Sequence, residues 1–211
     1  VLFVGTEVSG ARRWIGFGFF NVQPSEIAKL ALIMYLSAYV ARKRGEMQQF
    51  MTGLVPPLAI AGVVCLLILL EPDFGTAFVT GLTAGIIIFA GGASFSHIVA
   101  VVAAAAPLGV YLLVSEEYRM RRLMAFIDPW ADRMDSGWNV VQSLLAIGSG
   151  GLFGLGLGES RQKYLYVPEQ HTDFIFAILG EELGFVGTTI VLFLFAVFAW
   201  RGLRVAMRAP G

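Results

Sequence analysis

Asp173 stands where a polar stretch gives way to an apolar run, in the order His171, Thr172, Asp173, Phe174, Ile175, Phe176. A carboxylate at such a boundary is partly desolvated, which makes it a better base toward an attacking hydroxyl. The competing job for an aspartate at a helix start is N-capping, which Thr172 could also perform. If the helix includes Asp173, then Ala177, Gly180 and Gly184 share its face at spacings of three and four. Small residues there let a neighbouring helix approach closely.

Glu26 and Lys29 lie three residues apart inside an apolar stretch, so a helix would set them on one face. Charged groups within a span pair with one another or face a substrate or water-filled cavity, and both readings stay open. The segment YRMRR at 118–122 offers Arg119, Arg121 and Arg122. Guanidinium forks match phosphate oxygens, but a basic turn beside a span also binds anionic lipid head groups. The glycines of GSGGLFGLGLG at 148–158 are spaced like a dinucleotide fingerprint. No strand precedes them and no GK[ST] follows, so close helix packing or tight turns fit better. One cysteine, Cys65, and two histidines exclude an internal disulfide and leave no basis for a structural zinc site.

These residues need elements to hold them, and composition indicates which. Of 211 residues, 57% are hydrophobic and 14% are charged, against about 25% charged in ordinary soluble domains. A bilayer span needs about 20 mostly apolar residues. Five segments qualify: 22–40, 54–70, 76–91, 98–114 and 174–200. The long segment 115–172 separates the last two. It is polar and glycine-rich, yet LMAFIDPW, VVQSLLAIG and LFGLGLG within it are apolar enough for short or re-entrant helices. The expected fold is an all-α polytopic membrane protein with a large structured extracytoplasmic loop, read as one membrane domain over 1–211. The chain opens on Val1 and closes on Arg-Ala-Pro-Gly, as expected of an internal piece of a longer polytopic protein.

Arg42, Lys43 and Arg44 follow the first span, and Arg201, Arg204 and Arg208 follow the last. Basic residues beside short loops mark the cytoplasmic side, and the even number of crossings between the clusters keeps them together. The 115–172 loop is then outside. Its own basic residues suit an anionic ligand at the outer surface.

Taken in order, GARRWIG and QPSEIAKL (10–16, 23–30), EPDFGT (71–76), YRMRRLMAFIDPW (118–130), the stretch from VQSLLAIG through GLGES to Gln162-Lys163 (141–163) and VPEQHTDFIFAILGEELG (167–184) resemble the SEDS family of cell-shape, division and sporulation proteins. The match runs over nearly the whole chain. Its last two motifs resemble the FtsW and SpoVE branch more than RodA. Two positions depart from the family pattern: Glu71 replaces a commoner glutamine, and Leu165 stands where some relatives carry an acid.

The resemblance implies a protein of about ten spans, of which these five are the fourth to eighth. It implies a peptidoglycan glycosyltransferase that polymerises lipid II at the outer face of the bacterial cytoplasmic (inner) membrane during septal wall synthesis. A lipid II flippase and a RodA-type elongation polymerase are the alternatives. Charge at depth is concentrated in the first span and near the outer start of the last, which favours outer-face chemistry over transport. The family's essential aspartate falls on Asp173. Implied substrate contacts are Arg13, Glu26, Lys29, Arg119, Arg121, Arg122, Gln142, Lys163, His171 and Glu182. A divalent cation, Mg or Mn, is plausible by analogy with other phosphate-handling sites, although no dedicated metal ligands are expected. Implied partners are lipid II, the lipid-linked glycan, a class b penicillin-binding protein that crosslinks strands, other divisome proteins and membrane lipid, with no nucleic acid.

The topology makes a direct prediction. Cysteines introduced singly as Arg44→Cys and Ser136→Cys label from opposite sides of the membrane in intact cells, and same-side labelling overturns the arrangement.

Overall fold

The computed structural model describes residues 6–8, 11–16, 21–160 and 173–209, with side chains from Trp14 onward. The chain divides into two compact units, Val1–Pro107 and Leu108–Gly211.

The first unit opens with a small antiparallel sheet, strand order β1-β2-β3. Its strands are β1 (Thr6–Val8), β2 (Ala11–Gly16) and β3 (Asn21–Val22). Trp14 lies opposite Thr6 and Ile15 opposite Val22. Otherwise the fold is helical, as its composition demands.

Helix α1 (Pro24–Arg42) starts on a proline, whose missing N–H costs nothing in a first turn. Helix α2 (Val55–Leu69) continues from a π-helical turn at Phe50–Leu54. Helix α3 (Phe74–Ala90) is capped by Asp73, whose carboxylate accepts from the Thr76 N–H at 3.0 Å and the Thr76 hydroxyl at 2.9 Å. Helix α4 runs Phe95–Val114. Leu32 and Leu36 of α1, Ala61 of α2 and Ala84 of α3 form one buried cluster. Met47, Leu54, Ile88 and Ala93 form a second.

In the second unit, α5 spans Glu117–Ile127, α6 Trp138–Ser149 and α7 Ile175–Arg208. The apolar stretch VVQSLLAIG is helical in α6. LFGLGLG is not a helix: it forms turns, with positive φ at Gly154 and Gly156. DPW likewise lies in a turn beyond the end of α5. Helix α6 packs on α7. The buried positions of α7 are Ala177, Gly180, Glu181, Gly184 and Thr188, a stripe at spacings of three and four. The contact is tight. A Cβ at Gly150 would meet the Gly180 carbonyl oxygen at 2.0 Å, and one at Gly180 would meet Ile147 Cγ1 at 3.0 Å.

Among the described residues, three helical stretches are long and apolar enough to cross a membrane: Phe50–Leu69, Phe95–Val114 and Ile175–Arg208. Helix α3 is apolar but 17 residues long. Helix α1 has 19 residues and carries Glu26, Lys29 and Arg42. Large apolar side chains cover the outer faces, among them Leu30, Met34, Leu66, Phe78, Ile86, Phe193 and Phe198. Such faces suit lipid, where exposed leucine and phenylalanine carry no penalty.

Asp73→Ala removes the cap of α3 and is expected to cost about 1 kcal/mol, with Asp73→Asn costing much less because asparagine also caps. Thermal unfolding in detergent checks this, with equal losses in both variants counting against capping.

Candidate functional site

Helix α7 begins at Ile175 with Phe174 as its N-cap residue, and no side chain caps it. Asp173 therefore sits one residue outside the cap. It is exposed, and its carboxylate makes no hydrogen bond or ion pair among the described residues. This differs from both expectations at that position. Asp173 does not cap the helix, and the chain itself does not desolvate it.

Behind Asp173, α7 is broken. Gly184 has φ 66° and ψ −166°, a left-handed backbone that side chains disfavour. The loop after α6 fits into the break. Leu155 N–H donates to the Glu181 carbonyl at 2.9 Å and Gly156 N–H to the Glu182 carbonyl at 3.1 Å. In return, Phe185 N–H donates to the Gly151 carbonyl at 2.9 Å and Val186 N–H to the Leu152 carbonyl at 3.1 Å. The backbones approach so closely that a Cβ at Gly184 would lie 2.3 Å from Gly154 N, and one at Gly154 would lie 2.1 Å from the Glu182 carbonyl oxygen. The glycine run thus serves close packing and tight turns.

Glu181 is 1% exposed. The hydroxyl of Ser160, also fully buried, donates to its carboxylate at 2.5 Å. Sequence reasoning named Glu182 and passed over Glu181. The signal was present, since Glu181 follows Ala177 by four residues and precedes Gly184 by three, on the stripe of small residues. Glu182 is only half-buried. Gln142, on the buried side of α6 with Val141 and Ala146, is 8% exposed.

The arginines of α5 are engaged locally. Arg119 donates from Nη1 to the Leu112 carbonyl. Arg121 pairs with Glu117 at 2.7 Å and Asp135 at 3.6 Å. Arg122 lies over the Tyr118 ring, 5.1 Å from its centroid, a contact that uses the flat face of the guanidinium. Asp132 organises the turn after α5 by accepting from the Ser136 hydroxyl at 2.9 Å and its N–H at 3.3 Å.

In the first unit, Lys29 and Glu26 form an ion pair at 2.8 Å, with side chains 26% and 56% exposed. Lys29 also lines a cavity of about 20 Å³ between α1 and α3, with Leu36, Thr80 and Thr83 among its walls. That is room for about one water. Lys163 and His171 lie outside the described residues. Arg13 falls in β2, and its side chain also lies outside them. Among the described residues no group of three or more His, Cys, Asp or Glu is placed to hold a metal ion.

A family model described as "Cell cycle protein", built on FtsW, RodA and SpoVE, matches residues 1–211. The chain is 46% identical over 209 residues to a "Probable peptidoglycan glycosyltransferase FtsW" of Tolumonas auensis, covering 99% of this chain and 54% of that protein. It is 46% identical over 207 residues to the "Stage V sporulation protein E" of Bacillus subtilis, covering 98% and 57%. The chain thus spans about half the length of these curated relatives. A chain in a solved structure on the coordination of polymerization and crosslinking by a peptidoglycan synthase complex is 30% identical, with a TM-score of 0.75. That likeness covers 100% of this chain and 58% of the other.

The α5 surface carries a pH dependence. The hydrogen bond and charge of Arg121 hold the Glu117 carboxyl below its usual range. Ser136 does the same for Asp132. A depressed carboxylate stabilises the fold fully above its unfolded-state pKa, and that contribution is lost as pH falls through the folded value. Amide protection across Glu117–Ile127 is therefore expected to weaken below about pH 4. Glu117→Gln should already be weakened at neutral pH and respond less to acid, whereas an unchanged acid response would remove the pair from the explanation.

Proposed function

The chain belongs to the FtsW, RodA and SpoVE family of cell cycle proteins, and from that membership we propose that it carries the reacting face of a peptidoglycan glycosyltransferase. It is a membrane protein. We assign it to the bacterial cytoplasmic membrane, with segment 115–172 and the start of α7 on the outer side. The observation that carries the reading is the state of Asp173. This carboxylate caps nothing, pairs with nothing among the described residues and is exposed at the tip of a braced helix. A side chain in that state is available to a substrate.

The proposed reaction joins two lipid-linked sugars. The 4-hydroxyl of lipid II attacks the anomeric carbon of the growing glycan, and Asp173 takes the hydroxyl proton. The bond to undecaprenyl pyrophosphate breaks as the new β-1,4 bond forms, and the pyrophosphate leaves with the electron pair. An α-linked donor giving a β product requires one displacement and one base. Positive charge must meet the developing charge on the leaving group. Arg122 suits this role best among the described arginines, because it stacks on Tyr118 and makes no ion pair among the described residues. Arg119 and Arg121 would first exchange the contacts they make within the chain. Arg13, Lys163 and His171 remain assigned to substrate by family resemblance, as do Gln142, Glu182, Glu26 and Lys29.

A divalent cation, Mg or Mn, would be held by the pyrophosphate oxygens themselves, since the described donor set offers no cluster for it. No step depends on it. The similarity to FtsW relatives supports a role in septal synthesis beside a class b penicillin-binding protein and other divisome proteins.

Asp173→Asn is the deciding experiment. Asparagine keeps the size of the side chain but takes no proton. Polymerisation of labelled lipid II by purified full-length protein should fall about 10²–10⁴-fold. Near-parental polymerisation by inserted Asp173→Asn protein overturns the mechanism.

A further inference from the structure

In an uninterrupted helix, Phe185 N–H would pair with the Glu181 carbonyl and Val186 N–H with the Glu182 carbonyl, each four residues back. The break at Gly184 separates both pairs, and the glycine loop replaces all four partners. The same α7 groups therefore have two satisfying arrangements, a broken helix clasped by the loop and a continuous helix without it. The clasped form is secured at one side by the buried hydrogen bond from Ser160 to Glu181.

The arm Ile175–Leu183 lies between the break and Asp173. At 1.5 Å per residue it is about 13 Å long, so a tilt of about 10° at Gly184 moves its tip by about 2 Å. Errors of about 1 Å in a reacting group cost about 10²-fold in rate. The angle held at the break thus decides whether Asp173 meets its substrate.

We propose that Glu181 and Gly184 are positioning residues, through which the Gly151–Gly156 loop clasps the break in α7 and sets the angle at which α7 presents Asp173. This rests on the reading of Asp173 as the base. Glu181 itself exchanges no proton with substrate. Its carboxylate is enclosed and accepts a hydrogen bond from the Ser160 hydroxyl, and that bond needs only an acceptor oxygen. Glutamine supplies that oxygen and alanine does not, which separates positioning from proton transfer.

The experiment uses full-length protein in vesicles, with lipid II as substrate and the amount of inserted, folded protein measured for each variant. Glu181→Ala and Ser160→Ala should each lower kcat by about tenfold or more while KM for lipid II stays near parental, the pattern of an interaction felt only in the transition state. The double variant should cost less than the sum of the two singles, because both remove the Ser160–Glu181 contact. Glu181→Gln should restore most of kcat. Gly184→Ala should cost about 10²-fold in kcat. Because that variant can fail to fold, the Glu181 and Ser160 set carries the decision. Glu181→Gln as inactive as Glu181→Ala overturns the proposal, since the bond accepted from Ser160 would then not be what sets the angle. Parental kcat in both alanine variants, alongside an inactive Asp173→Asn, overturns it while leaving the base intact. Parental activity in Asp173→Asn overturns the underlying reading and the positioning role with it.

Discussion

A backbone amide inside hydrocarbon has no water to fall back on, so a helix that breaks there must find a new partner for every group it frees. Helix α7 meets that requirement at Gly184 through four backbone hydrogen bonds to the preceding loop. The rest of the second unit follows from this constraint. The loop must approach to backbone contact, which requires Gly150, Gly154 and Gly184 to lack side chains. It must also turn sharply, which requires positive φ at Gly154 and Gly156. Helix α6 is thereby held against the stripe of α7 that runs from Ala177 to Thr188. Asp173 projects from the end of a segment fixed along most of its length.

The first unit meets the same constraint without breaking a helix. Asp73 satisfies the start of α3, and the side-chain amide of Gln23 reaches the same carboxylate at 3.5 Å. The motifs at 23–30 and 71–76 are thus brought together, although 50 residues separate this pair. Lys29 neutralises Glu26 one turn into α1. It also lines the small cavity walled by Thr80 and Thr83.

The helices were legible in the sequence because apolar length in a membrane segment is a strong signal. Each expected span corresponds to a helix, with ends shifted where turn chemistry decides. Segment 76–91 begins at Phe74 because Asp73 caps it, and 174–200 continues to Arg208 because no proline interrupts it before Pro210. The three-stranded sheet was not legible, since strands of two to six residues carry too little pattern. Asp173 was legible as a site from its motif, but capping was excluded only by the helix start at Ile175. Glu181 was missed because adjacent glutamates look alike in a string, and only the helical phase of Ala177 and Gly184 tells which one is enclosed. The local partners of Arg121 depend on a turn organised by Asp132 and Ser136, a geometry no periodicity announces.

The loop that grips α7 does so with main-chain atoms alone. Its four bonds come from Gly151, Leu152, Leu155 and Gly156, while the side chains of Leu152, Phe153 and Leu157 stand well exposed. Mutational drift in this protein is therefore divided unevenly over a few adjacent positions. At Gly150, Gly154 and Gly184 a single added methyl group strikes backbone that cannot yield, so no stepwise path leads away from glycine. At Leu152, Phe153 and Leu157 the grip is indifferent to the side chain. Lineages can repaint the outer surface of this loop for new surroundings while the joint beneath it stays fixed.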